Sequence, residues 1–226
     1  MKMKILLPAI LFVGLYSCSK SDTDTLPPDK VKDVDGNVYS TIKIGTQTWM
    51  KENLKVTRYN NGDVIPTGLS DVSWATATSG AVTIYNNDDG NNKVYGKLYN
   101  WYAATDPRKI APQGWHIPST EEWETLISFL GGESAGGQMK ESGLAHWTIP
   151  NSGATNISGF TGLPAGLRYG GTFSDLGISG IWWSSNTGAY DDDSEADCIR
   201  LNNEDNVAQH AIGDKAYGLS IRCIKD

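Results

Sequence analysis

Glycine is spread densely along the sequence and limits the regular structure that the chain can form. The 226 residues include 25 glycines, and residues 136–180 are especially rich in them. Glycine weakens the interiors of helices and strands and favours turns. The 8 tryptophans and 10 tyrosines supply large rings for a core. We therefore expect a globular fold with many tight turns and a long, ordered, irregular region over residues 136–180. A bundle of long helices is not expected.

The N-terminal segment has the pattern of an export signal. Two lysines precede an apolar run over residues 5–15, which is too short to span a bilayer. The sequence Leu15-Tyr16-Ser17-Cys18 resembles the bacterial lipobox. That resemblance implies a signal peptide over residues 1–17, cleavage before Cys18 and acylation of Cys18 with chains such as palmitate. An ordinary cleaved signal beside a chance cysteine is the alternative.

Residues 18–30 are interpreted as the lipidated cysteine and a flexible tether, because Ser, Thr, Asp and Lys surround a Pro27-Pro28 pair. The acidic stretch Asp22-Thr23-Asp24 resembles the surface-export tethers of Bacteroidetes lipoproteins. Two or more acyl chains hold a protein stably on a membrane. The expectation is an outer-membrane protein held by its lipid anchor, with display on the cell surface as the further implication of the tether.

The charge balance disfavours one class of partner. Lys and Arg number 19 against 26 Asp and Glu, which gives a net charge of −7. Domains that bind nucleic acid usually carry a basic face. We therefore expect no nucleic acid partner.

Cys198 and Cys223 are the cysteines that remain after Cys18. The compartment beyond the inner membrane is oxidising, so a disulfide between them is expected. Leu219, Ile221 and Cys223 alternate on one strand face that has a buried pattern. The two sulfurs meet only if Cys198 also points inward, and two buried free thiols are the alternative.

The body is interpreted as one domain over residues 31–226, beginning with two hairpins. An Asp-Gly pair joins residues 31–34 to residues 37–44, and a Gly-Thr pair joins that strand to residues 47–49. Aromatic and leucine side chains at helical spacing predict a short helix over residues 94–104.

The clearest helix begins after Ser119. Ser119 and Glu122 have the spacing of a capping box, Trp123 starts an apolar stripe, and Gly131-Gly132 supplies a left-handed stop. Residues 181–185 are predicted to form a buried strand. A closing antiparallel meander is predicted over residues 198–201, 207–212 and 219–224.

Several segments resemble the Fibrobacter succinogenes major paralogous domain, in order along residues 31–226. They include residues 45–54, 95–102, 114–119, 182–185 and 218–223. The block over residues 114–123 and the closing Ser-Ile-Arg-Cys also resemble the C-type-lectin-like fold of formylglycine-generating enzymes. The resemblance implies an α+β fold with small antiparallel sheets, two short helices, paired termini and a long Gly-rich loop region. It implies no settled catalytic activity.

Few residues stand in patterns that carry chemistry. His116, His146 and His210 lie far apart without metal-ligand spacing, so each is interpreted as a surface or core histidine. Formylglycine-generating enzymes use thiols and copper, and the sequence has no spare cysteine pair in a matching motif. We therefore expect no catalytic residues.

Calcium is the better candidate among ions, because it takes oxygen ligands from carboxylates, amides and carbonyls. Asn86, Asp88 and Asp89 concentrate such groups, and so do residues 191–195. Neither stretch has the spacing of an EF-hand. A solvated acidic loop is the alternative interpretation of each.

Aromatic side chains that stack on sugars are the other candidates. Trp182 and Trp183 point to opposite faces of an extended strand, so Trp183 is a candidate for exposure. Trp74 and Trp147 stand beside Thr, Ser and Ala. Trp74, Trp147 and Trp183 are therefore the candidates for contact with a ligand, and core packing is the alternative.

These expectations describe a non-enzymatic, lipid-anchored envelope protein that binds an extracellular glycan or protein, or mediates adhesion. A structural or assembly component of the envelope with no small ligand is the second hypothesis. An enzyme related to the formylglycine-generating fold is the third. A groove with convergent polar groups would favour binding, and a broad flat apolar patch would favour assembly.

Replacement of Cys18 tests the anchor. The Cys18→Ala variant lacks the sulfur that would carry diacylglycerol, so it should stay unprocessed or be released in soluble form. Detergent-phase partitioning and gel mobility measure the change. A Cys18→Ala protein that still partitions into detergent with normal mobility would show that the anchor hypothesis is wrong.

Overall fold

The computed structural model describes residues 26–188 and 193–226. Cys18, the predicted signal peptide, most of the predicted tether, Asp191 and Asp192 lie outside the described residues. The strands, in chain order, are β1 (Lys30–Lys32), β2 (Val38–Ile44), β3 (Gln47–Met50), β4 (Val82–Thr83), β5 (Leu98–Tyr99), β6 (Trp115–His116), β7 (Ala165–Tyr169), β8 (Thr172–Leu176), β9 (Ser179–Thr187), β10 (Glu195–Asn202), β11 (Gln209–Asp214) and β12 (Ile224–Lys225).

The helices of the described residues are short. They are α1 (Asp71–Ala75), α2 (Asp89–Tyr95), α3 (Trp101–Ala104), α4 (Thr120–Phe129) and α5 (Ala135–Met139), with single 3-10 turns at Tyr85–Asn87 and Gly132–Ser134. The fold is therefore mixed, with several small antiparallel sheets, as the sequence predicts, but the described residues form five short α-helices and not the two that the family resemblance implies. Among these helices, none combines the length and apolar character needed to span a membrane.

A five-stranded sheet joins the two ends of the body, with the strand order β1-β2-β3-β12-β6. Both predicted hairpins are confirmed, and β12 lies between β3 and β6, where Ile224 pairs with Trp49 and His116. The pairing of the terminal strands agrees with the expectation drawn from the family resemblance. This sheet matters for the site because β6 forms one of its edges.

The first hairpin turn is held by one buried carboxylate. Asp33 accepts hydrogen bonds from the amides of Asp35 (3.0 Å) and Asn37 (2.9 Å), from the Asn37 side chain (2.8 Å) and from the Tyr39 hydroxyl (2.6 Å). Four donors offset the desolvation of this charge. Burial, and next the hydrogen bond to Asp33, raise the pKa of Tyr39.

Helix α4 has the predicted capping box. The Ser119 hydroxyl accepts from the Glu122 amide at 3.3 Å, and the Glu122 carboxylate accepts from the Ser119 amide at 2.8 Å. Gly131 follows with a φ of 99°, the left-handed conformation expected of a helix stop. Trp123, Leu126 and Ile127 form the buried face.

The predicted helix over residues 94–104 is wrong. Helix α2 ends at Tyr95, and Gly96 turns the chain with a φ of 77°. Strand β5 follows, and Asn100 then caps the separate helix α3 by accepting from the Ala103 amide at 3.0 Å. A glycine and a capping asparagine therefore interrupt the helical spacing of the aromatic side chains.

The closing meander is correct only in part. Strands β9, β10 and β11 form a three-stranded sheet, whereas residues 219–224 do not supply a further strand to it. Ser220 makes an isolated parallel bridge to Trp182 of β9, and β12 joins the five-stranded sheet. The Gly-rich region also contains a regular hairpin, β7–β8, because a Gly170-Gly171 turn lets the two strands pair from Ala165 to Leu176.

The predicted disulfide is a further correction, since Cys198 and Cys223 are both free and buried. Cys198 belongs to the three-stranded sheet, whereas Cys223 precedes β12 in the five-stranded sheet. Each thiol packs into the same apolar cluster as a small core side chain. Burial raises the pKa of Cys198 to about 12 and also raises the pKa of Cys223.

A buried guanidinium ties the C-terminal segment to two other parts of the chain. Arg222 donates to the carbonyls of Phe160 (2.6 Å), Met50 (3.3 Å) and Thr161 (3.5 Å), and to the Asn53 side-chain oxygen (2.8 and 3.1 Å). Its central carbon lies 4.4 Å from the centre of the Phe160 ring. Burial lowers the pKa of Arg222 to about 9, so the side chain stays charged at neutral pH.

Removal of this guanidinium should destabilise the fold strongly. Arg222→Met leaves several buried acceptors without a donor, and we expect a loss of roughly 3–5 kcal/mol in the free energy of unfolding, measured by urea titration. Arg58→Met, at an exposed arginine, is the matched control and should change it by less than about 0.5 kcal/mol. Equal effects of the two substitutions would contradict the structural role of Arg222.

Candidate functional site

Two adjoining cavities lie at the β6 edge of the five-stranded sheet. One has a volume of about 530 Å³ and the other of about 370 Å³, and both are lined by Lys109 and Trp115. The first is polar, with Lys32, Asp33, Asn60, Gln113 and Asp226 in its wall. The second is more apolar, with Ala104, Ile110, Ala111 and Ile117. We call the two cavities together the Trp115 groove.

Trp115 stands between the two cavities because it begins the short edge strand β6. It pairs with Lys225 of β12, and its amide donates to the Pro112 carbonyl at 3.0 Å. The ring is partly buried and packs against the main apolar cluster. One part of the indole is therefore fixed in the core while another part lines the groove.

Asn60 fixes the loop that forms the wall between the cavities. Its amide donates to the Lys109 carbonyl at 2.9 Å, and its side chain donates to the Ala111 carbonyl at 2.8 Å. Lys109 has a φ of 58°, a left-handed conformation that is uncommon for residues other than glycine. These hydrogen bonds hold the strained backbone in place.

Arg108 neutralises the acidic residues beside this loop. It donates to Asp106 and to Asp63, and its guanidinium carbon lies 3.9 Å from the centre of the Tyr59 ring. The hydrogen bond from Arg108 is the main reason that the pKa of Asp106 is lowered. The positive charge of Arg108 is thus paired with these two carboxylates.

His116 connects three elements behind Trp115. Its Nδ1 lies 2.6 Å from the Asp226 carboxylate, and its Nε2 lies 2.9 Å from the Glu122 carboxylate. Burial alone would lower the pKa of His116, but the hydrogen bonds to Asp226 and Glu122 outweigh it, so the pKa is raised. Both ring nitrogens face carboxylates, so neither is free to accept a proton from a nucleophile.

The three tryptophans expected to contact a ligand are buried, which corrects that expectation. Trp74 is 1% exposed, Trp147 2% and Trp183 0%. Trp74 lies under the Arg168 guanidinium, and the indole nitrogens of Trp147 and Trp183 donate to backbone carbonyls at 3.0 and 2.8 Å. Polar neighbours in the sequence did not indicate exposure, because the rings turn into the core.

The residues expected to bind calcium lie at the start of helix α2 and in the turn before it. Asp88 caps α2 by accepting from the Gly90 amide at 2.8 Å, and Asn86 lies in the preceding 3-10 turn with a φ of 54°. Asp89 is the first residue of α2. Within residues 26–188 and 193–226, no group of three or more His, Cys, Asp or Glu side chains is placed to hold a metal ion. The capping role of Asp88 replaces the expected role in ion binding.

Trp115 is not among the ligand contacts that the sequence pattern indicates. Its signal was its place between Gly114 and the His-Ile-Pro segment, as the first residue of a very short strand after a turn. A ring at such an edge is covered on one side only. The approach of Asn60 and Lys109, which completes the groove, is not visible in a local sequence pattern.

The His116 contacts should make stability depend on pH. A raised pKa means that the stabilisation is complete below the ordinary value of 6.5 and is lost as the pH rises through the folded-state pKa. His116→Gln should therefore lower the unfolding temperature more at about pH 6 than at about pH 9. His210→Gln, at an exposed position on β11, is the control. A pH-independent difference between wild type and His116→Gln would contradict the assignment.

Comparisons with known proteins agree with the resemblance seen in the sequence. A family model described as the Fibrobacter succinogenes major domain matches residues 42–225, from within β2 to the last residue of β12. No curated protein and no solved structure matches the chain. The family model covers most of the sequence, including β6 with Trp115. The chain therefore belongs to the Fibrobacter succinogenes major domain family.

Proposed function

We propose that this protein is a non-enzymatic, lipid-anchored envelope protein whose body binds a glycan in the Trp115 groove. The observation that carries the proposal is the partly buried Trp115 ring between two open cavities. Polar residues from four separate segments line the same cavity as that ring, namely Lys32, Asn60, Gln113 and Asp226. Each cavity falls within the range of roughly 300–1,000 Å³ that small-molecule sites occupy.

The composition of the groove suits a sugar. A pyranose ring has C–H faces that pack on a flat indole, and a rim of hydroxyls that needs hydrogen-bond partners. Trp115 supplies the flat apolar surface, and the Asn60 and Gln113 amides stand beside it. A few well-placed polar groups around an apolar surface are typical of specific ligand sites.

The lipid anchor completes the proposal for the location. Cys18 would be acylated and would hold the protein on the outer membrane, with display at the cell surface. A tether from Cys18 to β1 reaches about 40 Å when fully extended. Strand β1 and the Asp33 turn follow the tether directly, and both contribute to the groove.

We further propose that the body has a C-type-lectin-like fold. The pairing of β1–β3 with β12 in one sheet supports this, as do the few short helices and the irregular stretch between α5 and β7. The proposed ligand site does not depend on calcium. It uses an aromatic ring and nitrogen-bearing side chains.

Two observations favour binding over catalysis. Both nitrogens of His116, the histidine at the groove, are held by carboxylates. Cys198 and Cys223 are buried thiols with raised pKa values, so they do not offer the thiolate that a thiol-dependent oxidase needs.

A glycan array tests the proposal. The full chain, solubilised in detergent, should bind at least one saccharide class, and Trp115→Ala should lower that affinity about tenfold or more, as loss of roughly 1.4 kcal/mol of stacking requires. Tyr169→Ala, at an exposed aromatic residue outside the groove, is the matched control. Binding that is equally sensitive to both substitutions, or no binding by the folded protein, would contradict the proposal.

A further inference from the structure

We infer that the ligand of the Trp115 groove is an acidic saccharide, whose carboxylate or sulfate group lies between Lys32 and Lys109. This inference rests on the proposed glycan-binding function and adds the chemical class of the glycan. Both lysines line the polar cavity, and both side chains are exposed. Neither ammonium group has a hydrogen bond or an ion pair with another residue of the described chain.

The carboxylates that line the same cavity have hydrogen-bond partners elsewhere in the protein. Asp33 is buried and accepts four hydrogen bonds from its own hairpin, and Asp226 is held by His116 at 2.6 Å. Both carboxylates therefore have hydrogen-bond partners other than the two lysines. Among residues 26–188 and 193–226 the two lysine ammonium groups have no paired carboxylate, so both can contact an anionic ligand, although the protein as a whole has a net charge of −7.

The backbone of Lys109 adds a second, independent observation. A φ of 58° is tolerated best by glycine and asparagine, so a lysine at this position carries a conformational cost. The cost is met by the hydrogen bonds from Asn60 to the Lys109 carbonyl and from Lys109 to the Asp106 carbonyl. The conformation places a cationic side chain at the junction of both cavities, beside Trp115.

Lysine, tryptophan and amide groups together select the ligand class. An ammonium group is a compact charge that pairs with an oxyanion without requiring a fixed orientation. Trp115 packs on the sugar ring that bears the anion, and Gln113 lies within reach of its hydroxyls on the same wall. A uronic acid and a sulfated sugar share this chemistry, and the experiment below separates them.

Calorimetric titration of the full chain in detergent tests the inference. The probes are oligogalacturonate, its methyl ester as the neutral matched ligand, and a sulfated galactan oligosaccharide with its unsulfated counterpart. We expect an acidic member to bind about tenfold or more tightly than its neutral counterpart. Added salt should reduce that preference, because the groove is open to solvent.

Charge-removing variants locate the effect. Lys32→Gln and Lys109→Gln should each lower the affinity for the acidic probe roughly threefold to tenfold, and should lower it by a larger factor than the affinity for the neutral probe. Lys43→Gln removes the same charge from an exposed position on β2 outside the groove and should have no effect. Because all three lysines are exposed, the unfolding temperatures of the variants should match that of wild type.

The outcomes separate this inference from the proposed function. Equal affinity for acidic and neutral probes, with binding still dependent on Trp115, would overturn the acidic class and leave the glycan site standing. Acidic binding that is insensitive to Lys32→Gln and Lys109→Gln would also overturn the inference. Binding that ignores Trp115→Ala, or no binding of any saccharide, would overturn both.

Discussion

The buried Arg222 guanidinium is the interaction on which the rest of the fold depends. It sits two residues before β12 and binds carbonyls of the last residue of β3 and of the Gly-rich region. Arg222 also donates to the Asn53 side-chain oxygen, which accepts a second hydrogen bond from the indole nitrogen of Trp182 at 2.8 Å. Trp182 lies in β9, so this shared oxygen connects Arg222 to the three-stranded sheet. A desolvated cation without enough acceptors is costly, so each of these segments must be in place together. One side chain thereby couples the five-stranded sheet, the Gly-rich region and the three-stranded sheet.

The Trp115 groove depends on that coupling through β12. Strand β6 has only two residues and pairs with β12 alone in the five-stranded sheet. Its position is reinforced by His116, which bridges Asp226 and the first turn of α4. The groove therefore lies at the edge of the sheet. The His116 contacts with Asp226 and Glu122 hold β6 in place, and Trp115 packs against the apolar core. Part of its polar wall comes from the other end of the body, at Lys32 and the Asp33 turn.

The sequence predicts the elements whose signals are local. The capping box at Ser119 and the Asp-Gly turn at residues 35–36 each determine a conformation within a few residues, and both are present. The site was not predictable in the same way, because Lys32, Asn60, Lys109 and Asp226 meet only in the folded chain. Burial of Trp74 and partial exposure of Trp115 follow from which sheet edge or helix covers each ring. The types of the neighbouring residues in the sequence say little about which element covers a ring.

The hydrogen bonds that fix the Lys109 loop and the Asp33 turn affect the kinetics of binding in the groove. Asn60 holds both Lys109 and Ala111, and Asp33 holds its turn, so the site is shaped before a ligand arrives. A preformed site loses little conformational entropy on binding, and the encounter needs no slow rearrangement. For the proposed saccharide ligands, association rates should then be similar within one charge class, and discrimination among them should appear in residence time. Under the proposed anchoring, many copies facing one polymer would turn short individual contacts into lasting attachment by avidity.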